Sequence, residues 1–305
     1  MTNTRILVTG GSGFIGHHVS YELLKRGITP LVYDVRPPRD LDGAEWIQGD
    51  VLDKDSLQKA TKEVDGIVHL ASLVSVDATE RRPRDTLDVI VLGTRNVCAV
   101  SGSEQRVVFA STSEIYGEAQ QVPTPETCPA SPTSVYGVAK LAAENYIRTC
   151  IGPSGPHFTI LRYFNVYGPG QAPSFVVSRL AQQATRNEPL TIYGDGSQVR
   201  AFTHVRDVAT GTVLALMEPL ATAKTYNIGN PTEPVTIREL ARRVLKVSRS
   251  RSEIVLLPFE KSDRSARREI YRRIPDISAA TADLGYRPTK TLDEGIRDVI
   301  KHLQT

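Results

Sequence analysis

Short apolar runs alternate with longer stretches of helical period through the first half of the chain. Ile6 to Val8, Pro30 to Tyr33 and Gly66 to Leu70 read as strands, separated by helices near 14 to 26 and 53 to 62. The rhythm continues with a helix near 84 to 101, a strand from Arg106 to Ala110, a helix from about 132 to 150 and a strand from Phe158 to Arg162. Such alternation is the pattern of βαβ units, which predicts an α/β fold with a doubly wound parallel sheet of Rossmann type. Beyond residue 170 the rhythm loosens. The segment 171–202 carries Pro173, Pro189, Gly194 and Gly196 among apolar pieces, which reads as an excursion from the sheet. The expected division is a Rossmann domain over 1–170 with a returning segment near 203–230. Residues 171–202 and 231–305 would then form a smaller C-terminal α/β lobe that binds substrate.

Chemistry enters where the first strand ends. Gly10-Gly11-Ser12-Gly13-Phe14-Ile15-Gly16 follows that strand directly, opens a helix, and contains GxGxxG at Gly11, Gly13 and Gly16. Glycines allow a tight turn and let backbone N–H groups approach a pyrophosphate, while the helix N-terminus offers partial positive charge. The second strand ends at Asp34, about 20 residues on, where a carboxylate accepts hydrogen bonds from adenosine ribose hydroxyls and repels a 2′-phosphate. NAD is the expected cofactor, although Arg36 is a possible clamp for the extra phosphate of NADP. Asp50-Val51 ends the next strand and would border the adenine, or Asp50 is a loop carboxylate or helix N-cap.

A second constellation lies further along. Ser131-Pro132 looks like an N-cap followed by a first helical residue, and on that helix Tyr136 and Lys140 share one face. A phenol is a poor base at neutral pH, but a neighbouring ammonium and a positively charged nicotinamide both favour the phenolate. Tyr136 would then take a proton from a substrate hydroxyl as the adjacent carbon is oxidised. The strand at 106–110 runs into Ser111-Thr112-Ser113-Glu114 at the carboxyl end of the sheet, where ligands of doubly wound folds bind. Thr112 is the hydroxyl expected between Tyr136 and substrate, with Ser111 and Ser113 competing for that role. Glu114 is either an active-site acid or a solvated loop carboxylate.

Together these residues resemble the nucleotide-sugar epimerase, dehydratase and decarboxylase family of extended short-chain dehydrogenases. The resemblance rests on Gly10 to Gly16, His69-Leu-Ala-Ser72, Ser111 to Gly117, Tyr136 to Lys140, Arg162-Tyr-Phe-Asn-Val-Tyr-Gly-Pro169 and Leu190 to Arg200. It implies that Leu70, Ala71, Ser72, Tyr163 and Val166 join Phe14 and Ile15 along the cofactor. It also implies that Asn165 and Arg200 hold a diphosphate, that Thr191 and Tyr193 flank the nucleotide base, and that Ser75 touches substrate. Arg200 suits a phosphate fork and Tyr193 a stacking ring. Ile90 departs from the family, which commonly has Asn three residues before Gly93-Thr94, so a polar contact from that helix is missing or replaced.

By resemblance the sugar is first oxidised at C4 with tightly held NAD. Four-epimerases usually have Ser or Ala where this chain has Glu114, and NAD-linked 4,6-dehydratases have Asp where it has Ser113. The Ser-Thr-Ser-Glu run is similar to that of UDP-glucuronate decarboxylases, and equally to that of GDP-mannose 4,6-dehydratases, which use NADP and a different glycine loop. Arg273, two residues before Pro275, matches the arginine that meets the sugar carboxylate in the decarboxylases; the alternative is a diphosphate contact or a solvated basic run. The leading expectation is a UDP-glucuronate decarboxylase giving UDP-4-keto-pentose or UDP-xylose. A 4-epimerase or 4,6-dehydratase is the alternative, and a non-catalytic NAD-sensing protein the remote one.

Composition narrows the partners. The 37 Lys and Arg against 34 Asp and Glu leave a net charge of +3, too small to argue for nucleic acid or a membrane surface. No run of 18 apolar residues and no signal-peptide pattern occurs, so a cytoplasmic enzyme is expected. Cys98, Cys128 and Cys150 lack metal-ligand spacing and read as packing residues; no metal is expected. The resemblance implies a homodimer through two long helices per subunit, near 84 to 101 and the one bearing Tyr136.

Overall fold

The computed structural model describes residues 4–74, 76–152, 155–259 and 270–304. In the first half, β1 (Arg5–Thr9), α1 (Phe14–Lys25), β2 (Thr29–Asp34), β3 (Glu45–Gln48), α2 (Lys54–Thr61) and β4 (Gly66–His69) are followed by α3 (Val76–Arg81), α4 (Pro83–Leu87) and α5 (Gly93–Val100). Then come β5 (Arg106–Thr112), α6 (Val135–Cys150), β6 (His157–Tyr163), β7 (Val166–Tyr167), α7 (Val176–Thr185), β8 (Leu190–Tyr193), β9 (Val199–Ala201) and β10 (Thr203–His204). The chain closes with α8 (Val205–Met217), β11 (Thr225–Ile228), β12 (Pro234–Thr236), α9 (Ile237–Ser248), β13 (Ile254–Leu257), β14 (Arg272–Arg273), α10 (Ser278–Leu284) and α11 (Leu292–Gln304).

Seven parallel strands form the main sheet in the order β11-β6-β5-β4-β1-β2-β3. The order runs outward in both directions from β1, so connections cross on both faces and a crevice opens beside the carboxyl end of β1. Alternate residues of each strand enter different cores, as the period of two requires. Ile6, Val8 and Val108 pack with Val19, Val208 and Val213 on one face, while Leu7, Val107 and Phe109 pack with Leu57, Val97 and Ala143 on the other. Both faces are therefore covered, which is why the strands read as unbroken apolar runs.

The helix expected near 84 to 101 runs from Pro83 to Val100 on unbroken helical backbone, with a π-helical turn over Asp88–Leu92 between α4 and α5. Ile90 sits in that turn, fully buried, and its carbonyl accepts a bond from the Thr94 hydroxyl at 2.6 Å. Apolar packing thus stands where the resemblance implies a polar contact. The helix bearing Tyr136 starts at Val135, later than expected, because Ser134 rather than Ser131 supplies the cap, its Oγ accepting from the Gly137 N–H at 3.0 Å. A cap needs an extended residue whose side chain reaches the N–H three residues on, and Ser134 meets that condition.

A separate apolar cluster lies later in the chain. It joins Leu180 and Ala184 of α7, Leu190 and Ile192 of β8, Leu240 and Val244 of α9, and Ile296 and Val299 of α11. Ala280, Leu284 and Tyr286 instead pack into the main core beside α8 and β11. Three small sheets complete the fold, and in one of them β9 lies between β12 and β14.

Candidate functional site

At Gly10, Gly11 and Gly16 the glycine loop is pressed against backbone so closely that no side chain fits. A Cβ on Gly10 would stand 2.7 Å from the Ala71 amide nitrogen, and one on Gly16 would stand 2.3 Å from the Gly10 carbonyl oxygen. Gly10 also has a φ of +70°, open to glycine at little cost. Gly13 caps α1 without a side-chain bond, so the first N–H groups of the helix face outward as an anion cradle. Phe14 and Ile15 follow as the first residues of that helix, half-buried.

Asp34 closes β2 and ties two loops together, Oδ2 accepting from the Ser12 N–H at 3.1 Å and Oδ1 from the Arg36 N–H at 3.1 Å. Arg36 is exposed, and its carbonyl accepts from the Ser12 hydroxyl. Asp50 lies in the turn after β3, where it accepts from the Leu52 N–H at 2.9 Å; the cap of α2 is Asp53 instead. Val51 is buried against Gly93. Leu70 and Ala71 lean on Thr9, whose carbonyl takes the Leu70 N–H while its hydroxyl takes that of Ala71. Ser72 hydrogen-bonds the Leu73 carbonyl. Ser75 lies outside the described residues. Tyr163 points its hydroxyl to Thr212 at 2.8 Å, so its ring belongs to the core. Val166, in β7, packs on the same core.

On α6, Lys140 is buried and donates from Nζ to the Ala110 carbonyl at 2.7 Å, above the Phe109 ring. The same Nζ stands 5.9 Å from the centre of the Tyr136 ring. Burial pushes Lys140 down to about 7, against the pull of the Glu144 charge. Burial, followed by the Glu114 charge, raises the Tyr136 phenol, while a hydrogen bond with Thr112 works the other way. Desolvation therefore opposes the phenolate, which the sequence reading expects from the ammonium and a bound, positively charged nicotinamide together. Thr112, at the end of β5, also accepts from the Glu114 N–H at 3.2 Å, which holds its hydroxyl beside the phenol.

Glu114 is neither free nor merely solvated. Its Oε2 accepts from the Ser134 hydroxyl at 2.8 Å, and its Oε1 stands 3.6 Å from Nη1 of Arg273. Ser113, in the position where dehydratases carry Asp, is buried. Arg273 is brought from the far end of the chain by β14, which runs parallel to β9 with Arg273 opposite Arg200. Register partners share a face, so the two guanidiniums stand on one side of that sheet. Arg200 is buried and donates to the Val199 carbonyl at 3.0 Å and the Tyr271 carbonyl at 3.3 Å. Asn165, at a φ of +39°, donates to the Ala201 carbonyl at 3.0 Å and the Arg273 carbonyl at 3.4 Å, joining both strands to the end of β6. Thr191 and Tyr193 lie apart from these on β8.

This arrangement can be compared with known proteins. The sequence matches the NAD dependent epimerase/dehydratase family over residues 6–229. The chain belongs to that family. It is 31% identical to the UDP-N-acetyl-alpha-D-glucosaminuronate decarboxylase of Bacillus cytotoxicus, over 97% of each chain. Its fold matches the UDP-glucuronic acid 4-epimerase of Bacillus cereus, solved with UDP-glucuronic acid and NAD, at a TM-score of 0.89 and 29% identity over 99% of each chain. The NAD-dependent NDP-hexosamine 5,6-dehydratase TunA matches at a TM-score of 0.85 and 31% identity, over 99% of this chain and 98% of that one. The protein is thus an enzyme of an NAD-dependent nucleotide-sugar family whose members decarboxylate, epimerise or dehydrate. NAD fits the residues present, because the cradle has no room for a Cβ and Asp34 stands at the end of β2.

Several residues that touch the candidate site residues escaped the sequence reading. Glu144 lies one turn beyond Lys140, and its i,i+4 spacing from that lysine was the available signal. Gln183 on α7 holds Thr191 at two points, Nε2 to the Thr191 hydroxyl at 2.9 Å and Oε1 to its N–H at 3.1 Å. Arg179, one turn earlier, lies 4.9 Å from the centre of the Tyr193 ring. Nothing in their spacing points across to β8, so only the fold reveals them. Among the described residues no cluster of metal-binding side chains occurs, and no helix is long and apolar enough to cross a membrane.

Proposed function

We propose that the protein is a UDP-glucuronate decarboxylase. The observation that carries this reading is Arg273. Its guanidinium stands beside Glu114, largely out of water, and its buried Nε has no hydrogen-bond acceptor among the described residues. A buried guanidinium N–H without an acceptor is costly, and a carboxylate on the ligand satisfies it with matched geometry. The residues that hold the cofactor are Gly10, Gly13, Gly16 and Asp34, and bound NAD supplies the oxidant for C4 of the sugar. Tyr136 takes the C4 hydroxyl proton, relayed through Thr112, and Lys140 orients the group beside it.

The resulting β-keto acid loses carbon dioxide when the electron pair of the carbon–carboxylate bond moves toward the ketone oxygen. Tyr136 returns a proton there to give the enol; Glu114, recharged from water, then protonates the carbon as the enol proton passes back to Tyr136, which leaves the 4-keto-pentose with the hydride still on the reduced cofactor. The apolar cluster of α7, β8, α9 and α11, with the small sheet of β12, β9 and β14, forms the lobe that holds the nucleotide, with Arg200 and Asn165 at the diphosphate and Thr191 and Tyr193 at the base. The protein works in the cytoplasm as a homodimer, pairing through the face on which Leu87, Leu92 and Val138 are exposed.

A second reading keeps the carboxylate: 4-epimerisation of UDP-glucuronate, favoured by the likeness to the Bacillus cereus epimerase. Carbon dioxide release from UDP-glucuronate with NAD separates the two. In the same assay Arg273→Ala should lose turnover of the uronic acid while keeping affinity for UDP, and Arg273→Lys should rescue little, because lysine lacks the two-pronged donor. A wild-type enzyme that leaves UDP-glucuronate untouched, or an Arg273→Ala variant that loses UDP affinity in step with turnover, would overturn both readings of the carboxylate site.

A further inference from the structure

The strand that carries Arg273 to Glu114 is held from more than one direction. On one side β14 pairs with β9, and the Val199 N–H donates to the Tyr271 carbonyl at 2.8 Å. That pairing fixes Arg273 to Arg200, not to the catalytic strand β5. The hold toward β5 comes from the loop that follows it. Glu118, four residues after Glu114, turns its carboxylate onto two successive backbone donors, Oε2 accepting from the Tyr271 N–H at 2.5 Å and Oε1 from the Arg272 N–H at 3.3 Å. Further along the same loop, the Thr124 N–H donates to the Ile274 carbonyl at 2.8 Å, and the Thr124 carbonyl accepts from the Asp276 N–H at 2.9 Å. Arg273 therefore sits at the centre of a bracket, with Glu118 on the two residues before it and Thr124 on residues 274 and 276.

The two halves of the bracket differ in chemistry. Thr124 acts through its backbone, as Asn165 acts through an amide on the Arg273 carbonyl from the end of β6. Glu118 is the side-chain hold from the loop, and it is exposed, so the fold does not need it for its core. An exposed carboxylate placed on two adjacent N–H groups fixes the direction in which the next side chain leaves the strand. We propose that Glu118 is a positioning residue that seats Arg273 against Glu114 and thereby sets the recognition of a sugar carboxylate. This inference rests on the proposed function, which makes Arg273 the carboxylate partner.

The physical basis is preorganisation. A guanidinium already aimed at the site binds without first losing its freedom, whereas a loosened strand must order on binding and the ligand bears that cost. Only ligands that use Arg273 should feel the difference. The experiment is calorimetric titration of the NAD-saturated full chain with UDP-glucuronate, UDP-glucose and UDP, for wild type, Glu118→Ala, Glu118→Gln and Arg273→Ala. Loss of charge-assisted bonds should make Glu118→Ala weaken UDP-glucuronate about tenfold and move UDP and UDP-glucose by less than about twofold. Glu118→Gln keeps one acceptor oxygen and should fall between Glu118→Ala and wild type. Glu118→Ala binding UDP-glucuronate as wild type does, or weakening all three ligands alike, while Arg273→Ala weakens only the uronic acid, would overturn the inference and leave the proposed function standing. Arg273→Ala binding UDP-glucuronate normally would remove the carboxylate reading itself, and the role of Glu118 with it.

Discussion

The Glu144 carboxylate meets the Arg162 guanidinium at two points, Oε1 to Nε at 3.0 Å and Oε2 to Nη2 at 2.8 Å, with the carboxylate wholly out of water. The Ser111 hydroxyl donates to the same carboxylate, and Tyr116 accepts from Arg162 while donating to Asn227. Burial alone would raise the acid, but the bonds and charge of Arg162 outweigh it and hold Glu144 below its ordinary range. The pair joins α6, which carries Tyr136 and Lys140, to β6, while the Ser111 bond ties the same carboxylate to β5, the strand that ends at Thr112.

Removing one partner strands the other charge in the core. Glu144→Ala should therefore cost about 3–5 kcal/mol of stability, as broken buried pairs do. Replacing both, as Glu144→Leu with Arg162→Met, should cost far less than either single change, since apolar groups of similar volume need no partner. Urea denaturation of the singles and the double checks this. Additive losses would mean that the pair is not the unit of stability.

Lys140 makes stability depend on pH. Burial holds its folded pKa at about 7, below its ordinary value of 10.5. Below about 7 the lysine is charged in both states and the folded protein carries the full penalty of a buried ammonium. Between about 7 and 10.5 the unfolded chain binds more protons than the folded one, so stability rises with pH as the penalty fades. Lys140→Met removes the ammonium, so any gain over wild type should be largest near pH 6 and should shrink toward pH 9. Denaturation midpoints at those two pH values test it, and a difference that ignores pH would remove the buried charge from the account.

Much of the fold was legible in the sequence because its signals are local. A strand that ends in Gly10 to Gly16 and a following strand that ends in Asp34 need no knowledge of the rest of the chain. The YxxxK spacing likewise places Tyr136 and Lys140 on one helical face before any fold is known. What the sequence concealed depends on distance along the chain. The start of α6 was misread because Ser131-Pro132 and Ser134 offer competing caps, and only tertiary contacts with Glu114 decide between them. Glu118 and Tyr271 are brought together by the fold, as are Glu144 and Arg162, and no periodicity within either segment announces the partner. The balance of charge at Tyr136 was also beyond the sequence, because desolvation depends on what packs over the ring.

The two carboxylate oxygens of Asp34 already accept from the Ser12 and Arg36 N–H groups. The carboxylate thus fixes the edge of the glycine loop as well as offering negative charge to a ribose. Asp34→Ala should weaken NAD, because the hydroxyls lose their acceptor and the loop loses a tie. It should also narrow the preference for NAD over NADP, because a 2′-phosphate no longer meets a negative neighbour and the exposed Arg36 side chain is free to turn toward it. Asp34→Asn separates the two effects. Asparagine keeps one acceptor oxygen and can still hold part of the loop, but it carries no charge, so it should relax discrimination while weakening NAD less than alanine does. Titration of both cofactors against wild type and the two variants gives the four affinities needed. A preference for NAD that survives both substitutions would show that discrimination comes from elsewhere in the crevice and that Asp34 serves the loop alone.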